Sequence, residues 1–360
     1  MSTGALAFVV AVAVMGAMAA AGVLYARQRK VTVEDYISAR NSTGGMVSMA
    51  TAVASVMGAW ILFSPAEAAT WAGLVAVIGY GIGQAAPLLA FIFLGPRMRS
   101  LMPEGHSLTE FVWFRFGRTM YGLTLVIMVL YMFTFLAAEM GAIARAVGVI
   151  TGVPLLVTLV LVAAATLAYT LYGGLRASIF TDNIQFLLII PLLVIILAVA
   201  IGQLGGWGAG FDSVREVNPD LLSMSYQPGI ELGLTLIIAV LVANLFHQGF
   251  WQRVYAAKSP ADIRRGFFWA GAIVIPMVIG SGLFGLWAVG QGVADPGAIA
   301  LFNLALEVFP VWVLVALVAL ALVLVMSSMD TLLNGIASIF TSDLPRLRPH
   351  FQGALLLRSS

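Results

Sequence analysis

Long apolar runs alternate with short polar stretches along the whole chain. The runs lie near 4–25, 44–69, 72–95, 119–143, 153–172, 179–203, 229–249, 266–290 and 311–340. Each is at least about 20 residues, the length a helix needs to cross roughly 30 Å of hydrocarbon. The pattern therefore predicts nine transmembrane helices. Strands are disfavoured because the runs lack the apolar/polar alternation of a membrane barrel, and a helix satisfies its own backbone in lipid. The fold class expected is an all-α polytopic membrane protein.

Composition agrees. Of the 360 residues, 61% are hydrophobic and 9% charged, with a mean hydropathy of +1.02, too little polar surface to cover a water-soluble globule.

The sparse charge is informative through its placement. No Lys or Arg precedes the first run, whereas Arg27, Arg29 and Lys30 follow it. A secretory signal has the reverse order, so Ala17-Met18-Ala19 is not read as a cleavage site and residues 1–30 are read as a retained anchor helix with the N-terminus outside. Threading nine spans from that start places sixteen of the eighteen basic residues on the cytoplasmic side: those three with Arg40, Arg97, Arg99, Arg115, Arg118, Arg176, Arg253, Lys258, Arg264, Arg265, Arg346, Arg348 and Arg358. Only Arg145 and Arg215 fall outside. The expected location is the cell (inner) membrane, with the C-terminal end of this chain cytoplasmic. The longest outer stretch, 204–228, is expected to be a partly helical external cap.

Several chemistries are disfavoured. There is no cysteine, and His106, His247 and His350 lack the spacing of a metal site. No nucleophile-base pair or phosphate loop suggests an enzyme, and no basic run interleaved with aromatics suggests nucleic-acid binding. The candidates are the few ionisable groups inside spans, since each needs a cavity or a partner. Glu67 reads as an interfacial carboxylate. Glu139, six residues before Arg145, reads either as half of a structural ion pair or as a transport residue. Asp182 could cap the sixth span from its cytoplasmic start. Asp330 follows Ser327-Ser328-Met329 inside the ninth span and is harder to dismiss. Those two serines either bond back to their own helix or offer oxygens to a cation. The small and β-branched run from Ser48 to Trp60 permits either close helix packing or a helix broken so that free carbonyls meet a cation.

Four stretches carry a resemblance. They are Tyr36-Ile37-Ser38-Ala39-Arg40-Asn41; Tyr172-Gly173-Gly174-Leu175-Arg176-Ala177 with Thr181-Asp182-Asn183-Ile184-Gln185; Trp251-Gln252-Arg253 with Ala256-Ala257-Lys258-Ser259; and Ser327-Ser328-Met329-Asp330-Thr331-Leu332-Leu333-Asn334 through Ile339 to Leu344. In order and spacing the chain resembles the sodium:solute symporter family, which includes sodium-coupled glucose, proline, pantothenate and sialic acid carriers. Ala39 departs from that family's usual glycine.

The resemblance implies an inverted-repeat core of the leucine-transporter type with an extra N-terminal helix. Residues 31–203 would form the first five-helix repeat, 229–344 the first three helices of the second, and 345–360 a cytoplasmic tail. The second repeat would then be two helices short, so the chain is expected to be a fragment or a truncated form, and not to transport by itself. Sodium would be held by the carbonyls of Ala54, Met57 and Leu324 and the hydroxyls of Ser327 and Ser328, with Asp182 a candidate second site. Oxygen-only ligation suits this hard cation. His247 and Gln248 fall where sugar carriers place an Asn-Gln pair on substrate, and Val56 falls where proline carriers have an aspartate.

The expected function is sodium-driven import of a small polar solute of the amino acid, carboxylate, urea or sugar class, with no cofactor beyond the coupling ion. The alternatives are a membrane solute-sensing module of a signalling protein and an inactive truncated carrier. A reporter fused after Lys258 is predicted to be cytoplasmic and one within 204–228 external, and opposite labelling would overturn the span assignment.

Overall fold

The computed structural model describes residues 2–29, 32–293 and 297–347. Lys30, Arg348, His350 and Arg358, and all but the first three residues of the expected 345–360 tail, lie outside the described residues. Twelve α-helices account for most of the described chain: α1 (Thr3–Arg27), α2 (Val33–Ile37), α3 (Gly45–Val56), α4 (Ser64–Leu101), α5 (Leu108–Thr151), α6 (Leu155–Gln203), α7 (Trp207–Val217), α8 (Gln227–Leu245), α9 (Gln248–Ala256), α10 (Pro260–Gly290), α11 (Ala300–Val308) and α12 (Val311–Leu347). Among the described residues the one β-type pairing is an isolated bridge between Thr43 and Ala257.

Local sequence explains where helices begin and end. Short polar side chains take the free N–H groups of the first turn: Ser2 on α1, Ser107 on α5 and Ser259 on α10, with a reciprocal Thr32–Asp35 capping box on α2. Helix α5 ends on Gly152 in the left-handed conformation at φ 72°.

Seven of the described helices are long and apolar enough to cross a membrane: α1, α4, α5, α6, α8, α10 and α12. The difference from the nine apolar runs arises in two places. Runs 153–172 and 179–203 share the 49-residue α6, which turns at Gly174 (φ 57°, ψ −150°), a conformation open to glycine and not to residues with a Cβ. Run 44–69 is not one helix. It holds α3, an interruption at Met57 and Gly58, a 3-10 turn at Ala59–Leu62, and then the start of α4, which turns at Gly73 (φ 72°, ψ −168°) and continues as run 72–95. The stretch around Gly173 and Gly174 is thus a kink within helix. Run 229–249 is also divided, because α8 stops at Leu245 and α9 restarts at Gln248.

The loops that charge assigns to one side do meet at one end of the bundle. Arg40 pairs with Glu34 at 2.7 Å and donates to the Gly105 carbonyl at 2.8 Å. Arg176 pairs with Asp35 at 2.9 Å, and the Gly45 amide donates to Asp262 at 2.8 Å. His106 sits within 2.8 Å of Glu34. Partial burial works against the charge on Glu34, but hydrogen bonds from Ser38, His106 and Arg40 outweigh it and hold the carboxyl at about 2. Ala39 in this segment has φ 43°, a left-handed geometry that glycine adopts more readily than alanine. At the opposite end the 204–228 segment forms α7 and a 3-10 turn at Pro219–Leu222, as the expected partly helical cap. It lies over α4 and α10, with Leu221 against Gly73 and Ser213 against Gly290.

Close backbone approaches set the helix spacing. Helix α1 lays Gly22 on the ring of Tyr169 in α6. Helices α4 and α10 approach so closely that a Cβ on Gly285 would stand 1.9 Å from the Ala66 carbonyl oxygen. Gly285→Ala is therefore predicted to force the two helices apart, at a cost of about 1 to 3 kcal/mol or more. Thermal unfolding in detergent should show a clear loss relative to Gly141→Ala, where the added methyl meets nothing within 4 Å; equal midpoints would refute the packing argument.

Candidate functional site

The first interruption follows a run of mostly small and β-branched residues. Every residue from Ser48 to Ala59 is buried. Met57 (φ −85°, ψ 93°) and Gly58 (φ −96°, ψ −174°) are extended, so α3 ends at Val56 with peptide groups that no helical ladder satisfies. The missing partners come from α5. The Glu139 carboxylate accepts from the Ala59 amide at 2.7 Å and the Trp60 amide at 3.4 Å. The Trp60 indole donates back across the break to the Val56 carbonyl at 3.0 Å. Arg145 is not the partner of Glu139; it is exposed, while Glu139 is fully buried. Glu67 is exposed, as an interfacial carboxylate should be.

Helix α12 passes beside this break and brings both serines to carboxylates. Ser328 Oγ donates to Glu139 at 2.9 Å, and Ser327 Oγ donates to Asp182 at 2.7 Å. Asp182 also accepts from the Thr51 hydroxyl of α3 and pairs with Arg253 at 2.8 Å. It lies inside α6, fully buried, and does not cap a helix start. Any cation taken there would share the carboxylate with a guanidinium. Arg253, counted by charge among the basic residues of the cytoplasmic side, is 1% exposed. The reason is that 248–256 forms helix α9, packed against α3 and α12. The guanidinium reaches Thr331 Oγ1 at 2.7 Å, Thr51 Oγ1 and the Gly249 carbonyl at 3.1 Å. Asp330, also fully buried, accepts from Ser178 at 2.7 Å, Tyr169 at 2.8 Å and Thr181 at 3.3 Å.

The other sequence-derived candidates are all buried. Ala54 and Met57 bracket the end of α3, and Leu324 lies one turn before the serines on the same face of α12. His247 occupies the second interruption at φ −82°, ψ 102°, where its Nδ1 accepts from the Gly249 amide at 3.1 Å. That bond leaves Nε2 as the protonated nitrogen, buried and without a partner in the fold. Gln248 points elsewhere, donating to the His106 carbonyl at 2.8 Å.

A cavity of about 380 Å³ lies between the two interruptions. Ser55, Val56, Trp60 and Ser64 border it from the first, and Asn244, His247 and Phe250 from the second; Tyr80, Gln84, Tyr131 and Phe135 complete the wall. Its volume suits a small organic molecule. The lining offers ring faces, amides and hydroxyls but no charged side chain.

Sequence reasoning did not foresee the Arg253–Asp182 pair, the Thr51 contact or the capping role of Glu139. A signal existed: acids inside spans demand compensation, and Arg253 stands in the Trp251-Gln252-Arg253 stretch.

These features can be set beside known proteins. The sodium:solute symporter family matches residues 36–349, and the chain belongs to that family. It is similar to the spermidine transporter DUR31 of Candida albicans, 29% identical over 321 residues, covering 88% of this chain and 60% of that protein. The sodium/glucose cotransporter of Vibrio parahaemolyticus is 30% identical over 270 residues, covering 66% of this chain and 50% of the relative. The proline transporter PutP of Bacillus subtilis is 28% identical over 289 residues, covering 78% and 58%. The chain thus spans between 50% and 60% of the length of these relatives, which are transporters and not enzymes. In fold it resembles a substrate-bound, outward-open sodium-coupled sialic acid symporter, with a TM-score of 0.82 at 21% identity over 95% of this chain and 75% of that one. Family and apolar helices together make it a multi-pass membrane protein.

Arg253→Met is predicted to destabilise the protein by about 3 to 5 kcal/mol, because it strips the buried Asp182 of its cation. The double variant Arg253→Met/Asp182→Asn should recover part of that loss in thermal unfolding, and a double variant no more stable than the single would show that the pair is not coupled.

Proposed function

We propose that the chain is the core of a sodium-coupled secondary active symporter that imports a small polar organic solute by alternating access. The observation that carries this reading is one cavity set between two interrupted helices, with the α12 serine pair beside the first interruption. Interrupted helices free backbone carbonyls and amides for an ion and a solute while the rest of each helix stays satisfied. Sodium is bound by the carbonyls of Ala54, Met57 and Leu324 with the hydroxyls of Ser327 and Ser328. A second sodium at Asp182 requires Arg253 to move or to share its carboxylate.

The solute occupies the uncharged cavity, where His247 Nε2 and the Asn244 and Gln84 amides supply hydrogen bonds and the aromatic rings supply faces. Gln248 contributes only if it turns from the His106 carbonyl. Relatives named for spermidine, glucose and proline bracket the range of solutes, and an uncharged lining suits a molecule recognised through hydrogen bonds rather than through one ion pair.

The nine-span count fits this reading. Helix α6, at about 1.5 Å per residue, is roughly 74 Å long and can cross twice by turning at Gly174, and α3 with the first part of α4 makes one further crossing that ends at the Gly73 turn, which brings seven long helices to nine spans. The interruptions then fall in the first helix of each repeat, 31–203 and 229–344, as an inverted repeat requires. Lys and Arg placement puts the end holding Arg40, Arg176 and Lys258 in the cytoplasm of the cell membrane.

Ser327→Ala and Ser328→Ala are predicted to raise the sodium concentration for half-maximal uptake. Losing one ligand oxygen from a buried ion costs about 1 to 3 kcal/mol, or roughly 5- to 150-fold. Solute affinity should fall as well through reciprocal linkage. Uptake against sodium concentration, at matched membrane abundance of the full-length protein, checks this, and curves overlapping the parent's would refute the site.

A further inference from the structure

The three buried carboxylates around α12 are not equivalent. Asp182 pairs directly with Arg253, and Asp330 joins the same network through Thr331, whose hydroxyl lies 3.3 Å from Asp330 and 2.7 Å from the guanidinium. Among the described residues no Lys, Arg or His stands within ion-pair distance of Glu139. Its partners are two backbone amides and the Ser328 hydroxyl. Gly58 keeps the space beside it, since a Cβ there would lie 2.4 Å from both carboxylate oxygens. A carboxylate so placed, inside an apolar segment and out of water, is costly without a cation nearby.

Ser328 connects this charge to the proposed ion. A serine hydroxyl has one proton and two lone pairs. Here the proton is directed to Glu139 at 2.9 Å, with the Val325 carbonyl the more distant acceptor at 3.1 Å. Donation to a carboxylate gives a stronger bond and leaves both lone pairs free for a cation. The same carboxylate fixes the amides that follow Met57, whose carbonyl is another proposed ligand. Building on the sodium-site reading above, we propose that Glu139 is a positioning residue for the coupling ion: it orients Ser328, holds the interrupted backbone and supplies the negative charge that sodium neutralises. A helix cap alone would need none of that charge.

Glu139→Gln separates the two roles. The Ala59 amide and Ser328 both donate to one oxygen of Glu139, so a glutamine carbonyl placed there still accepts from both, its NH2 lies on the side of the weaker Trp60 contact, and what is lost is the charge. For the full-length protein in proteoliposomes the half-maximal sodium concentration should rise at least about tenfold, while the maximal rate at saturating sodium stays within about twofold. In sodium-free choline medium the purified variant should unfold at the same temperature as the parent or higher, and added sodium should stabilise the parent but not the variant. A variant destabilised equally with and without sodium, or one whose sodium curve matches the parent's, overturns the proposal. Should Glu139→Gln fail to fold, Glu139→Asp replaces it: the shortened side chain withdraws from Ser328, so at least about a threefold rise supports the role and an unchanged curve overturns it. If Ser328→Ala shifts the sodium curve while Glu139→Gln does not, Glu139 alone is misassigned. If none of the three shifts it, the sodium site itself is wrong.

Discussion

Hydrocarbon offers a peptide group no water to bond with, so any helix that gives up its ladder inside an apolar segment must find other partners for the freed amides and carbonyls. This chain does so at Met57–Gly58 and again at Phe246–His247. The surrounding packing serves that need. Glu139 from α5 takes the amides of Ala59 and Trp60, the Trp60 indole takes the Val56 carbonyl, and the His247 ring takes the Gly249 amide. The cavity exists because both breaks open toward it.

Buried charge is the second constraint. Glu139, Asp182, Asp330 and Arg253 are each at most 1% exposed. Isolated, any of them would be strongly unfavourable in this setting. Hydroxyls from Thr51, Tyr169, Ser178, Ser327 and Ser328 surround the three acids, so α3, α6 and α12 are joined by directional bonds as well as by apolar contact. Such bonds favour discrete arrangements of these helices over a continuous range of them.

Glycine does for the helix packing what the hydroxyls do for the charge. At Gly22, Gly79 and Gly285 the neighbouring chain stands where a side chain would begin. Gly174 turns α6 by adopting a conformation closed to other residues, and Tyr36 of α2 fills the space against it. Helix interfaces in lipid gain little from excluding water, so close contact through small residues is what remains to hold them.

The membrane class, the all-helical fold, the grouping of the basic loops at one end and the α12 serines were legible in the sequence, because each depends on local composition or on charge beside an apolar run. The resemblance carried the family, and the break near Met57 was one of the two readings that the run from Ser48 to Trp60 left open. The residues around Arg253 show where that reasoning stops. Its charge suggested only a side of the membrane; that α9 buries it and pairs it with Asp182, 71 positions away in the chain, had no sign in the charge pattern. For Glu139 the sequence left open a pairing with nearby Arg145 or a transport role; its partners lie 79, 80 and 189 positions away. Hydropathy and charge patterns report on a segment's relation to its solvent. Which buried acid meets which cation, and which carboxylate closes which broken helix, is decided by contacts between segments remote in sequence, and only the tertiary structure holds those.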